Sequence, residues 1–145
     1  MRLAVVGSRD FNNYDLLKEI LDYVHNLKEV TMFVSGGAKG ADKLGERWAD
    51  ENNIPKEIYP AEWNNLDDEP CIIKYNSYGK PYNCLAGHNR NELIVKNSDK
   101  IIAFYNGISK GTANTIKLCE EHKKTCKIIY YNDEAFIKKL KIKNL

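Results

Sequence analysis

The sequence lacks any apolar run of the roughly 18 residues that a membrane-spanning helix requires. The apolar run Leu3–Val6 near the N-terminus is also shorter than the about 7–15 apolar residues of a secretory signal. We therefore expect a cytoplasmic protein that does not contact a membrane. The cysteines form no CxxC pair, so we expect free thiols, no metal site and no cofactor. They are Cys71, Cys84, Cys119 and Cys126.

A strong excess of one charge is missing as well. The chain has 22 basic and 20 acidic residues and a net charge of +2. Four of the lysines lie in the tail 138–145, so the remainder of the chain is slightly acidic. A dedicated nucleic-acid binder would carry a broad basic surface. Nucleic acid is therefore an open but not a favoured partner, and we interpret the basic tail as a solvated chain end.

The length and composition predict one globular domain over residues 1–145. The chain is 43% hydrophobic and 29% charged, which excludes global disorder. Five short apolar runs predict strands, and most are continuous rather than alternating, as in strands buried on both faces. The predicted strands are Arg2–Val6, Val30–Ser35, Glu57–Tyr59, Lys100–Tyr105 and Lys127–Tyr131.

Helical patterns lie between these strands. Apolar residues from Leu17 to Leu27 recur at helical spacing, with Asn13 as the expected cap. Strand–helix alternation predicts an α/β fold: a single Rossmann-like, doubly wound, mostly parallel five-stranded sheet with helices on both faces. Residues 64–85 interrupt the strand–helix alternation. They predict an irregular insertion, either a hairpin or a lid over the site. Further helices are predicted over Ala41–Asn52, Asn89–Asn97 and Thr112–Lys123, and after Asp133.

Three glycine-containing loops follow predicted strands, at the sheet edge where open α/β sheets bind ligands. In the strand order 3-2-1-4-5, the first and third loops face each other between strands one and four. Glycine lets the backbone approach an anion, and the free N–H groups and dipole of a following helix favour negative charge. We predict that a phosphate-bearing small molecule binds Gly7, Ser8, Arg9, Ser35, Gly36, Gly37, Lys39, Gly40, Asp42, Arg90, Asn91, Gly107, Ser109, Lys110, Gly111 and Thr112.

Two common nucleotide motifs are not matched by these loops. The segment 35–40 approximates GxGxxG, but serine replaces the first glycine and no clear acidic residue follows about 20 positions later. This disfavours a dinucleotide-dependent oxidoreductase. The segment 107–112 is one residue short of a Walker A loop and has no lysine between Gly111 and Thr112.

Taken together, the motifs resemble a known family. They are Gly-Ser-Arg-Asp-Phe at 7–11, Ser-Gly-Gly-Ala-Lys-Gly-Ala-Asp at 35–42, Glu-Arg-Trp-Ala at 46–49, Ala-Gly-His-Asn-Arg-Asn at 86–91, Ile-Ala-Phe at 102–104 and Gly-Thr at 111–112. In this order they resemble the YspA-type SLOG family over about residues 2–131. SLOG covers the DNA-processing protein DprA and the LOG cytokinin-activating enzymes. The resemblance implies a Rossmann-like fold that binds nucleotides or nucleotide-derived ligands, and a homo-oligomer, since SLOG relatives often pair.

The resemblance leaves three functions open. LOG enzymes cleave the N-glycosidic bond of nucleoside 5′-monophosphates, and Arg90 matches their arginine. Their glutamate after Gly-Thr is replaced here by Asn114 and Thr115, so the candidate catalytic residues for a nucleotide N-glycosidase are Arg90, Asp10 and Glu92. The second possible function is that of a non-catalytic nucleotide sensor or sequestering protein. The third is DprA-like binding of single-stranded DNA.

Overall fold

Alternate side chains of the first strand face opposite sides of the sheet and so organise two separate cores. The computed structural model describes residues 1–145. Leu3 and Val5 are buried in one core, and Ala4 and Val6 in the other. A sheet that is apolar on both faces must be covered by helices on both faces.

Five strands form the main sheet, and two more form a separate hairpin. The main strands are β1 (Arg2–Gly7), β2 (Met32–Ser35), β3 (Lys56–Ile58), β6 (Lys100–Phe104) and β7 (Thr125–Ile129). The hairpin strands are β4 (Ile73–Tyr75) and β5 (Pro81–Asn83). The helices are α1 (Tyr14–Leu27), α2 (Ala41–Glu51), α3 (Ala86–Lys96), α4 (Lys110–Glu121) and α5 (Glu134–Lys139), followed by a 3₁₀ turn at Ile142–Asn144. No helix has the length and apolarity to span a membrane.

The main sheet has the order β3-β2-β1-β6-β7, and all of its pairs are parallel. The sequence prediction of this order is therefore confirmed. The chain builds outward from β1 to β3, returns across the sheet and continues from β6 to β7. The direction reverses between β1 and β6, where Leu3 pairs with Lys100 and Gly7 with Phe104. This reversal point is where open α/β sheets leave a crevice at their carboxyl edge.

The helices divide between the two faces as a doubly wound fold requires. One core joins α1 and α2 to β1, with Leu17, Phe33 and Trp48 fully buried and α5 packed at its margin. The other joins α3 and α4 to the opposite face through Ile94 and Leu118. Each face of the reversal point is thereby closed by a different pair of helices, and its carboxyl edge stays open.

Several boundaries differ from the predicted ones by one to three residues. Helix α3 starts at Ala86, three residues early, because Ala86 itself is buried and glycine is tolerated in a first turn. Strand β7 begins at Thr125, because pairing with Lys100 of β6 sets its register more strongly than its own apolar pattern. Residues 64–85 contain the β4–β5 hairpin, whose register pairs Ile73 with Asn83.

The basic tail is only partly solvated. Its lysine side chains are exposed, but Leu140, Ile142 and Leu145 between them pack against the first core. The hydroxyl of Tyr23 donates to the carbonyl of Lys143 at 2.8 Å. The tail therefore lies against the fold rather than free of it.

Gly45 marks the tightest contact between α2 and the sheet, and it supplies a stability prediction. An added Cβ would lie 2.5 Å from the ring of the fully buried Phe33 and 3.2 Å from Val5. Overpacking costs about 1–3 kcal/mol, and the gain in helix propensity recovers up to about 1 kcal/mol. We expect Gly45→Ala to lower the free energy of unfolding in urea. The control Gly111→Ala meets no atom within 4 Å and should unfold at the same or higher urea; equal behaviour of the two variants would contradict this packing.

Candidate functional site

A cavity of about 470 Å³ opens between β1 and β6 at their carboxyl ends. Ten of the residues that line it were predicted from the sequence: Gly7, Ser8, Arg9, Asp10, Asp42, Arg90, Asn91, Ser109, Gly111 and Thr112. Five were not: Val6, Ala38, Ile94, Asn106 and Thr115. The first and third glycine-containing loops thus face each other across the crevice, and α2 and α3 close its sides. The volume lies within the roughly 300–1,000 Å³ range of small-molecule sites.

Ser8 and Asn106 tie the two facing loops together. The N–H of Ser8 donates to the carbonyl of Phe104 at 3.0 Å, and its hydroxyl accepts from the N–H of Asn106 at 3.2 Å. The Asn106 side chain then accepts from the N–H groups of Ile108 and Ser109, both at 2.8 Å. This side-chain turn is a common role of asparagine in loops. Its position in the glycine-containing loop between β6 and α4 was the available signal for Asn106.

The N-terminus of α4 points into the cavity. Ser109 caps the helix by accepting from the N–H of Thr112 at 3.3 Å. The first N–H groups of a helix have no partner within it, so those of Lys110 and Gly111 remain for a ligand. Together with the helix dipole they make this end of the cavity favourable for an anion.

Two arginines line the same cavity. Arg9 is exposed at its rim and makes no hydrogen bond or ion pair with the protein. Arg90 of α3 is held in place: Nη1 donates to the carbonyl of Gly36 at 2.8 Å, and Nε donates to Asn91 at 3.0 Å. Its Nη2 has no protein partner. Burial lowers the pKa of Arg90, and the nearby Asp42 opposes that effect.

Asp42 is the buried carboxylate of the site. It lies in the first turn of α2, and its Oδ2 accepts from the N–H of Ala38 at 3.1 Å. Burial raises the pKa of Asp42 to about 6, outweighing the opposite effects of this backbone hydrogen bond and of the Arg90 charge. The side chain therefore holds the second loop against the cavity and can accept a hydrogen bond from a ligand.

Asp10 is the exposed carboxylate of the site. The Tyr131 hydroxyl donates to its Oδ1 at 2.5 Å. Burial and this hydrogen bond raise the pKa of Tyr131 to about 12, so the phenol stays a donor. The second oxygen of Asp10 has no protein partner. Asp10 therefore presents one oriented oxygen at the mouth of the cavity.

Much of the second loop supports the cavity without lining it. Gly36 allows the close approach of Arg90, since an added Cβ would lie 2.7 Å from its Nη1. Gly40 has a φ of 81° and packs its Cα against the backbone of Ser8. The Ser35 hydroxyl donates to Glu46 at 2.8 Å and accepts from the N–H of Gly37.

Four other predicted residues also lie outside the cavity lining: Lys39, Gly107, Lys110 and Glu92. Glu92 pairs with Lys96 at 3.1 Å and lies 3.6 Å from His122, on another side of α3 from Arg90. The insertion 64–85 contributes no residue to this cavity. Lys39 and Lys110 extend their side chains into solvent.

The two residues after Gly-Thr have local partners. Asn114 contacts His88 at 3.1 Å, and the buried Thr115 donates to the carbonyl of Gly111 at 3.2 Å. Asp10 and Asp42 are therefore the carboxylates of this cavity. No three metal-ligating side chains converge in the structure, and we assign no metal ligands.

Comparison with known proteins agrees with the fold and the motifs. The model of the YspA, cpYpsA-related SLOG family matches residues 1–65, which confirms the resemblance over that stretch. Gene 61 protein of Mycobacterium phage D29 is 28% identical over 140 residues, covering 92% of this chain and 98% of that protein.

Two solved structures share the fold. DNA processing protein A (DprA) from Streptococcus pneumoniae superposes with a TM-score of 0.68 at 19% identity, covering 95% of this chain and 53% of that one. DNA processing protein A from Helicobacter pylori, described for its single-stranded DNA binding mode, gives a TM-score of 0.64 at 18% identity, covering 99% and 77%. This chain therefore spans about half of the pneumococcal protein.

The raised pKa of Asp42 predicts a distinctive pH dependence of stability. A carboxyl whose folded pKa exceeds its unfolded value of 3.8 binds its proton more tightly when folded, so stability falls as pH rises from about 4 to above 6. From the two pKa values we expect wild type to lose about 2 kcal/mol over this range relative to Asp42→Asn. Urea unfolding of both proteins between pH 4 and 7.5 measures the difference. A constant difference across this range would contradict the assigned environment.

Proposed function

We propose that this protein binds a nucleotide or nucleotide-derived ligand through its phosphate. Its residues 1–65 match the model of the YspA, cpYpsA-related SLOG family. The observation that carries the proposal is the convergence of Arg9, Arg90 and the N-terminus of α4 on one cavity. Arg9 has no protein partner, and Arg90 keeps one nitrogen free. Arginine binds phosphate oxygens bidentately, and helix N–H groups add further donors.

The remaining lining favours a nucleotide over a bare phosphate. Asp10 and Asp42 present acceptor oxygens, which match sugar hydroxyls and would repel a second phosphate. Val6 and Ile94 add apolar wall. A ligand with one anionic end and a hydroxylated sugar fits this mixture of charges. The protein can act in this way as a sensor or a sequestering protein, with no bond broken.

If the protein also hydrolyses the N-glycosidic bond of its ligand, Asp10 is the residue that activates water. N-glycosidic hydrolysis adds water across the bond between the sugar and the base, and the base leaves with a proton. It requires a positioned water and a negative charge near the cationic sugar. Asp10 is oriented by Tyr131 and has one free oxygen. Arg90 would hold the phosphate. Glu92 lies on another side of α3 and does not line the cavity, so it has no role in this step.

Single-stranded DNA is the second candidate ligand. Its support is the shared fold with two DNA processing proteins, one of which is described as binding single-stranded DNA. A DNA phosphate could occupy the same anion site. The slightly acidic chain outside its tail gives less of the basic surface that such binding uses.

Arg9 offers the cleanest test of nucleotide binding. Calorimetric titration with nucleoside 5′-monophosphates and ribose 5-phosphate should show binding that Arg9→Gln weakens about tenfold or more, since a hydrogen bond to a charged group contributes about 1.5–3 kcal/mol. Arg90→Lys should weaken it as well. Lys117→Gln removes the same charge from the exposed face of α4 and should change nothing. Binding of a single-stranded oligonucleotide without any mononucleotide binding would favour the second candidate instead.

Hydrolysis is tested by chromatography of the same incubations. If Asp10 activates water, wild type releases free base, and Asp10→Asn stops the release while ribose 5-phosphate still binds. Tyr131→Phe should slow release by a smaller factor, because it removes only the group that orients Asp10. Intact nucleotides after long incubation with wild type would exclude the hydrolytic form and leave the sensor or sequestering function.

A further inference from the structure

A second hollow of about 250 Å³ lies on the other side of Arg90 from the phosphate cavity. It sits between the end of β3 and α3, and the Arg90 side chain lines both spaces. A ligand held by its phosphate on Arg90 can therefore extend past this side chain into the hollow. Apart from Arg90, the hollow is lined by other residues than the cavity, so it can hold a different part of the same ligand.

Part of the wall of the hollow is apolar and solvent-exposed. Ile58 at the end of β3 is 40% exposed, and Leu93 on α3 is 46% exposed. Both contribute to the same concave surface, together with Tyr59. Exposed aliphatic side chains that line a concavity gain free energy when a flat apolar group covers them. A nucleobase has two such faces.

The polar groups at the edge of the hollow are acceptors. Asp68 and Glu62 both line it. Asp68 is held by Asn89, whose amide donates to Oδ2 at 3.2 Å, and its Oδ1 has no protein partner. Glu62 accepts from Asn65 at 3.2 Å through Oε2, which leaves Oε1 free. Asp68 and Glu62 therefore each keep one carboxylate oxygen free to accept from a ligand.

We propose that this hollow is the nucleobase subsite of the protein and that it selects guanine. The inference rests on the proposed function, since the phosphate must occupy the neighbouring cavity. Guanine carries two adjacent donors, N1–H and the 2-amino group, which can bond to one carboxylate bidentately. Adenine and cytosine place an unprotonated acceptor nitrogen beside their amino group, and uracil flanks its single N–H with two acceptors. A carboxylate, which only accepts, therefore repels part of each of these edges.

Asp68 is the carboxylate best placed for this contact. It is half-buried and fixed by Asn89, whereas Glu62 is exposed. A carboxylate with a fixed orientation loses less freedom on binding. Glu62 adds negative potential on the neighbouring side of the hollow and strengthens the preference for donors.

The decisive experiment compares two ligands that differ by one amino group. Calorimetric titration of wild type with guanosine and inosine 5′-monophosphates should show about tenfold tighter binding of the guanosine form, the discrimination typical of a good bidentate pair. Asp68→Asn should reduce this ratio to near one and leave binding of ribose 5-phosphate unchanged. Glu69→Gln, which removes a charge from the adjacent residue outside the hollow, should retain the full ratio.

The outcomes separate this inference from the function on which it rests. Equal binding of guanosine and inosine monophosphates by wild type, with ribose 5-phosphate also bound, overturns the guanine subsite and leaves the phosphate site standing. Failure of all three ligands to bind overturns both. A tenfold ratio that survives in Asp68→Asn places the recognition elsewhere and also overturns the assignment. The wild-type comparison requires no variant, so it does not depend on the folding of Asp68→Asn.

Discussion

The reversal of strand order between β1 and β6 is the constraint on which the site depends. Two parallel strands that lie side by side but send their chains to opposite faces must leave a gap at their carboxyl ends. Here the loop after β1 leads to α1 on one face, and the loop after β6 leads to α4 on the other. Ser8 and Asn106 bridge the two loops by a single hydrogen bond, and the rest of the gap remains open as the cavity.

The sequence was sufficient to predict this framework because its strongest signals are physical requirements of the fold. Short, continuous, mostly apolar runs such as Lys100–Tyr105, set between helical patterns, are typical of strands covered on both faces. Parallel pairing requires crossovers, and these place every strand-to-helix loop on one edge. Arg9 and Thr112 could thus be assigned to one site although they lie far apart in the chain, and the family resemblance added Arg90. The boundaries of β7 and α3 were less predictable, since pairing with β6 and burial of Ala86 override local pattern.

The sequence could not reveal which loop residues face the ligand and which support the loop. A glycine indicates that no side chain fits, but not what approaches it. Gly36 and Gly40 make room for Arg90 and for the backbone of Ser8 rather than for a phosphate. Glu92 is close to Arg90 in sequence, yet its partner is Lys96 one turn further along α3. In the sequence Thr115 stands out only as a departure from a family pattern, and its place in the wall of the cavity follows from helix geometry.

The mixture of charges in the cavity argues against a site that binds only a simple anion. An anion site gains nothing from a buried carboxylate, and the raised pKa of Asp42 shows that its charge is costly there. Asp42 accepts from the N–H of Ala38 and lies near Arg90, so it holds the loop whose Gly36 carbonyl accepts from Arg90. The arginine is thereby oriented before any ligand arrives, and less conformational freedom is lost on binding. The same oxygen atoms that fix the loop also repel a second phosphate. Under the proposed function, this arrangement favours a ligand with one phosphate and a donor-rich neighbour.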